Sequence, residues 1–519
     1  MTAASPSPGP TSSRMIVWLV GLTLASLAII CWPVIPLGVP GEWTWARRAF
    51  VEIDPISLIL ASTLGAGYWW AAQWLMAREE SATLPSRVSP LGPALLGLVW
   101  LGGMLLAFPE FHGIGRAPTV LYYKRTEGYF WQAAFDVKDS RSFLAAYRDS
   151  ISQGNDPDRY LHLGTHPPGL TLVYRGLLNS MEQYPRLAQV VIATEPPAIH
   201  EAFETLRSFP TPLGDPLSPA AEATLWAATL LTLLAAAAAA WPIYRLTERF
   251  SHRATACRAA LLWPLVVSLL VFFPKSDLLC PVIATTSCWL WLDGWSRRCW
   301  GRCVLAGVGF FCGLMLTLAL APIALLLTLQ TCFERWSRRE EFRERTIATD
   351  VTAVALAVLG LVLPLVALSL WGSCNIAVIW IENLKNHAMF YDHNSRSFGL
   401  WLVVNPVEVA LALGAPLACL TAAGLLCSFS QRGFAPIAFS HAAAWCMVWA
   451  ILWLSGKNMG EAARLWIFLA PWPVMTAAKA LETDRHCQRV AFGLQLLAGI
   501  TTVAVVDGFH FAELIAESR

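Results

Sequence analysis

Runs of about twenty mostly apolar residues recur along almost the whole chain, and they restrict its fold more than any other feature. The hydrocarbon core of a bilayer is ~30 Å thick, so a helix rising 1.5 Å per residue needs about twenty apolar residues to cross it. That criterion is met or approached at 15–35, 56–76, 91–108, 221–243, 259–273 and 278–292. It is met or approached again at 304–318, 321–332, 351–371, 407–427, 434–454, 465–480 and 490–506. Only 14% of the 519 residues are charged, against about 25% in soluble domains. The expected fold class is therefore an all-α membrane protein with about thirteen transmembrane helices. Residues 15–519 read as a single polytopic domain, and the Ser- and Pro-rich residues 1–14 as a disordered cytoplasmic tail. The first run is longer than the ~7–15-residue core of a signal peptide and lacks a small-x-small cleavage site, so it reads as a retained helix.

Charge placement gives an orientation. With the N-terminus in the cytoplasm, alternation gathers arginines into short inner loops. These include Arg245, Arg249, Arg253 and Arg258, then Arg297, Arg298 and Arg302, then Arg335, Arg338, Arg339 and Arg343. The short loops on the other side carry fewer basic residues, which is the positive-inside asymmetry. A multi-pass protein of the cytoplasmic (inner) membrane is expected. Its long hydrophilic loop, 109–218, then faces outward, as do 372–405 and 455–464. The net charge of +2 points to no particular partner, and no nucleic acid is expected. The long loop holds no cysteine, so no disulfide framework is expected there.

Loops longer than ~15 residues inside a compact fold are usually functional or disordered, and this one has aromatics at helical spacing. Tyr129 to Val137, Ser140 to Ser150 and Pro168 to Gln183 read as short amphipathic helices lying along the membrane surface. Asp139 is placed to cap the second. Glu127 opens the first of these helices and can act as a general base on an acceptor hydroxyl. A helix-terminal Glu favoured by the helix dipole is the competing account. Asp136 and Asp139, and Glu42 in the first outer loop, are further candidate carboxylates. Capping and interfacial roles compete for them. His162 and His166 are candidate binding groups, the second fixed in an extended backbone by Pro167 and Pro168.

Later outer loops bring basic groups to the membrane surface. Lys275, Lys385, His387, Arg396, Lys457 and Arg464 can clamp a lipid-linked phosphate. Glu461 stands three residues before Arg464, where a simple ion pair is the alternative. An Arg opening a helix at the membrane edge is costly unless paired or functional. No phosphate-binding Gly-rich loop, HExxH or GxSxG stands out, which disfavours nucleotide-driven transport and those hydrolases.

Together the residues Thr126-Glu127-Gly128-Tyr129-Phe130 with Ala133, the segment His166-Pro167-Pro168-Gly169 and the segment Phe273-Pro274-Lys275-Ser276-Asp277 resemble motifs of the GT-C superfamily. The likeness is to its protein mannosyltransferase and aminoarabinose transferase branch. These are multi-spanning glycosyltransferases that use polyprenyl-phosphate-linked sugars. The resemblance implies a GT-C-like fold, a lipid-linked sugar donor and an unknown acceptor. It also implies Tyr129 as a substrate-binding residue and an acidic base in the first large loop. Where the family motif usually has Asp, this chain has Thr126, so the base is Glu127 or another of Glu42, Asp136 and Asp139. No organic cofactor is required, no metal-ligand set is assigned, and a divalent metal is compatible with the chemistry. The rival expectation is a transporter or flippase of a lipid-linked solute, and a third is a non-catalytic assembly protein.

Overall fold

In the computed structural model, which describes residues 10–48, 52–81, 90–108, 112–153, 163–208, 217–343, 346–430, 436–482 and 484–510, helices follow the apolar runs. α1 (Pro10–Cys31) leads into a short antiparallel hairpin, β1 (Gly38–Val39) on β2 (Trp43–Thr44). α2 (Pro55–Ser81) and α3 (Leu91–Ala107) pack on each other. The long insert carries α4 (Ala117–Tyr122), α5 (Tyr129–Trp131), a π-helical turn at Gln132–Asp136, and α6 (Ser140–Gln153). It continues through α7 (Gly169–Gln183), α8 (Pro185–Ile192) and α9 (Pro197–Ser208). Next come α10 (Pro219–Ala238), α11 (Ala240–Thr247), α12 (Arg253–Leu262), α13 (Ser268–Val271), α14 (Cys280–Arg297), α15 (Trp300–Leu316) and α16 (Pro322–Ser337). The order closes with α17 (Ile347–Trp371), α18 (Ile376–His393), α19 (Phe398–Leu413), α20 (Ala415–Ser430), α21 (Pro436–Leu454), α22 (Ala462–Leu465), α23 (Pro471–Ala480) and α24 (Arg485–Val505).

The chain is an all-α multi-pass membrane protein. Among the described residues, seven helices are long and apolar enough to cross a bilayer, or eight if the bent pair α18 and α19, which meet at 110°, counts as one span. This is fewer than the thirteen apolar runs. Leu91–Ala107, Trp300–Leu316 and Ala415–Phe429 are apolar but shorter. The run at 465–480 is broken into α22, a 3-10 turn and α23, and its residues are buried by neighbouring protein. Hydropathy alone does not separate burial in lipid from burial in protein. α1 already begins at Pro10, so residues 10–14 of the expected tail are helical, and 1–9 lie outside the described residues.

Glycines permit a close approach where α15 packs on α17. A Cβ on Gly307 of α15 would lie 1.9 Å from the Ala357 carbonyl oxygen of α17, and one on Gly360 would lie 2.1 Å from that of Val304. Small residues let backbones approach in membranes, where no hydrophobic drive separates helix from lipid. The segment after the hairpin also meets the end of α24. Arg48 N donates to Val505 O at 2.9 Å and Asp507 N to Ala46 O at 3.1 Å, while Arg48 grips Asp507 at 2.8 Å. These contacts bring the segment after the last helix to the same end of the molecule as the long insert.

Of the helices expected in the insert, α6 and α7 match closely in place and extent. Asp139 Oδ2 accepts from Ser142 N at 2.7 Å, the expected cap. The segment between α6 and α7 is held from below. Tyr147 Oη donates to the carbonyls of Leu163 (2.9 Å) and His166 (2.8 Å), and Asn383 Nδ2 donates to those of Gly164 and His166 at 2.9 Å each. α18 thus fixes where the histidine sits.

Candidate functional site

The turn between α4 and α5 builds the acidic side of the site. Thr126 Oγ1 donates to Val120 O at 2.5 Å and Tyr123 O at 2.8 Å, closing the turn with a buried hydroxyl. Gly128 follows in the left-handed region at φ +82°, where a Cβ would lie 2.7 Å from Lys124 O. Glycine meets that requirement without strain. Between them Glu127 is carried inward and is only 2% exposed. Its Oε1 accepts from Ser276 N at 2.8 Å, while Oε2 is buried with no hydrogen-bond partner.

The basic side comes from two later segments. Lys275, also 2% exposed, donates from Nζ to the Thr126 carbonyl. Arg464, on α22, pairs through Nη1 with Asp277 at 3.2 Å and through Nη2 with Glu461. Glu461 opens that helix at φ +58°, so the chain adopts a conformation unfavourable for a side-chain-bearing residue at the pair. Phe509 lies beneath both cations, 5.0 Å from Lys275 Nζ and 5.2 Å from Arg464 Cζ, within cation–π range. Edge contacts from Trp43 at 5.2 Å and Phe272 at 5.4 Å hold its ring.

Glu127, Tyr129, His166, Lys275, Ser276, Asp277, Arg464 and Leu465 line one small polar cavity of about 20 Å³, enough for about one water. Its electrostatics are poised. Burial pushes the Glu127 carboxyl above its ordinary value, although the Lys275 charge and the Ser276 hydrogen bond oppose this. Burial pulls Lys275 down to about 8 against the opposing pull of Glu127. Burial also works against the Arg464 charge, but Glu461 and Asp277 more than offset it and hold the guanidinium above its usual value. Tyr129 is pushed up by burial and by Glu127, so its hydroxyl stays protonated.

A second, apolar cavity of about 420 Å³ lies on the other side of α22. Trp445 and Trp449 of α21, Leu425 of α20, Pro406 of α19 and Trp466 are among its walls, and Ala462 and Ala463 contribute from α22 itself. Arg464, the next residue, lines the polar cavity. One short helix therefore separates a charged cleft from a greasy chamber.

Five of the sequence candidates, Glu127, Tyr129, His166, Lys275 and Arg464, meet in the polar cavity, with Glu461 bound to the last. Others do not line it. Glu42 accepts from Ser397 N at 2.9 Å and Trp401 Nε1 at 2.7 Å, tying the first loop to α19. Asp136 and Asp139 are exposed. Lys385 is exposed and pairs with Glu382 at 2.9 Å. His387, Arg396 and Lys457 are absent from the cavity wall, and His162 lies outside the described residues. Asp277 and Ser276 were visible only as neighbours of Lys275. Phe509, beyond the last span, carries no local signal. No residue lining the polar cavity belongs to a group of three side chains spaced to hold a metal ion, among the described residues.

No protein family matches the chain, and no curated protein matches it in sequence. Solved structures that resemble it include the Archaeoglobus fulgidus oligosaccharyltransferase with Zn and sulfate, at 15% identity and TM-score 0.39 over 80% of this chain and 54% of that one. The apo form of the same enzyme gives 13% identity and TM-score 0.42 over 82% and 57%. The archaeal oligosaccharyltransferase AglB from A. fulgidus, in complex with an inhibitory peptide and a dolichol-phosphate, gives 14% identity and TM-score 0.40 over 82% and 57%. The chain thus spans little more than half the length of these proteins. At TM-scores below 0.5 the likenesses carry no weight for fold or activity.

Proposed function

We propose that the chain is a membrane glycosyltransferase of GT-C type, moving a sugar from a polyprenyl-phosphate donor to an acceptor on the outer face of the cytoplasmic membrane. Residues 15–519 act as one polytopic domain, with 109–218 as the outer loop. The observation that carries this reading is the pairing of cavities across α22. A buried carboxylate with a free oxygen faces Lys275 and Arg464 on one side, and an apolar chamber opens on the other. A lipid phosphate needs both, cations for its headgroup and apolar walls for its tail.

The chemistry follows from these groups. Glu127 Oε2 takes the proton of the acceptor hydroxyl, whose oxygen forms a bond to the anomeric carbon. The bond from that carbon to the phosphate oxygen breaks, and its electron pair leaves on the lipid phosphate. Lys275 and Arg464 stabilise the charge that develops there, in a site where water is scarce. A single displacement inverts the sugar. Phosphate competes with Asp277 and Glu461 for Arg464, so donor binding loosens these ion pairs and widens the cleft.

The 110° break between α18 and α19 favours one second reading, translocation of a lipid-linked solute, since transporters use broken helices. Proteoliposomes supplied with a panel of polyprenyl-phosphate sugars separate the two. The enzyme reading expects free polyprenyl phosphate to appear together with a glycosylated acceptor. Donor that crosses the bilayer chemically unchanged would support transport instead.

A further inference from the structure

The long insert ends in a corner that the proposed transfer does not use. Glu195 stands in the turn between α8 and α9, His200 within α9, and Glu222 in the first turn of α10. One ligand atom from each lies within 4.8 Å of the other two. None of the three lines the Glu127 cavity.

Three carboxylates of this corner gather around one cation, Arg207. Glu222 is only 4% exposed and is paired with Arg207, which also holds Glu204 at 2.6 Å. Glu195 stands beside Glu222, within hydrogen-bond reach of it, and both of its carboxylate oxygens are shut off from solvent. Arg207 is the cation beside both Glu222 and Glu195, and it is shared with Glu204. The turn is also fixed in place, because Trp226 Nε1 of α10 donates to Thr194 Oγ1 at 2.8 Å.

The chemistry of the donors selects the ligand. Two carboxylate oxygens and one imidazole nitrogen suit a borderline divalent ion with bonds of ~2.0–2.2 Å, with its fourth position left for water. Calcium and magnesium prefer more oxygens and no imidazole. We propose that Glu195, His200 and Glu222 bind a zinc-type divalent ion that clamps the α8–α9 turn to the start of α10. Such a clamp fixes the insert where it joins the membrane-spanning helices, and it leaves the transfer chemistry to Glu127.

The full chain, purified in detergent, is stripped with a chelator, loaded with Zn²⁺, passed through gel filtration and measured for metal content. Exposed cysteines such as Cys299 and Cys332 take up zinc in every sample, so the difference between variants is the readout. The wild type is expected to hold about one more zinc ion than His200→Ala or Glu195→Gln. Zinc is expected to raise the melting temperature of the wild type and not that of the two variants. Asp139→Asn, an exposed carboxylate elsewhere in the insert, should behave as wild type. His200 is exposed, so its replacement leaves the fold intact. Equal zinc content in wild type and His200→Ala would overturn the proposal, as would an equal shift in melting temperature.

Discussion

Glu127 and Lys275 are each pushed towards neutrality by burial, and that opposition sets how the site responds to pH. The Glu127 carboxyl sits above its ordinary 4.5, so the basic form accumulates only once the pH has passed that raised value. Lys275 is charged below about 8 and loses its proton above it. The account therefore predicts a bell-shaped kcat/KM, rising through a limb above 4.5 and falling through one near 8. Lys275→Arg keeps its charge and should remove the alkaline limb. A profile flat from pH 6 to 10 in the wild type would contradict it. At this scale much was legible in the sequence. Glu127, Lys275 and Arg464 stand out because charge is rare and costly near the membrane. Which carboxylate faces the cations was not legible. Glu42, Asp136 and Asp139 stay open as alternatives in sequence, and only folding turns Glu127 inward while leaving Asp136 and Asp139 exposed.

Elements carry the parts of the site that local sequence leaves hidden. The segment after α24 follows the last apolar run, and Asp507 anchors it between Arg48 and His112, so that Phe509 reaches both cations. No periodicity within one element announces a contact between residues 48 and 507. Burial opposes the Asp507 charge, but hydrogen bonds from His112 and Arg48 overcome it and hold the carboxyl at about 2. A depressed carboxyl stabilises the fold at pH values above its unfolded pKa of ~4, and that contribution is lost as the pH falls towards 2. Asp507→Asn should therefore cost ~2–5 kcal/mol at neutral pH, since it also leaves Arg48 buried and unpaired. Thermal unfolding in detergent should show the gap between variant and wild type narrowing as the pH drops from 4 to 2. A gap independent of pH would place the role of Asp507 elsewhere. The same limit explains the span count, because α23 is as apolar as a membrane helix but is enclosed by protein.

The whole molecule places a charged cleft and an apolar chamber on opposite sides of one four-residue helix, α22. The all-α membrane architecture was legible from the hydropathy pattern alone. The chamber was not, since its walls come from α13 and from α19 to α23, and a Trp such as Trp445 or Trp449 looks the same in sequence whether it faces lipid or a cavity. If the chamber holds the donor's tail, filling it should act on chain length. Ala450 of α21 also lines the chamber, and Ala450→Phe is expected to raise KM roughly tenfold for a long polyprenyl donor, the loss of about two buried methylenes, with little change for a short-chain analogue. Equal effects on both donors would remove the chamber from the binding site. The central claim is that Glu127 is the base of a sugar transfer from a lipid phosphate, and Glu127→Gln tests it most directly. In proteoliposomes with a labelled polyprenyl-phosphate sugar, the variant should bind donor as the wild type does, yet transfer sugar ~10²–10⁴-fold more slowly. Transfer at the wild-type rate by a well-folded Glu127→Gln protein would contradict the account.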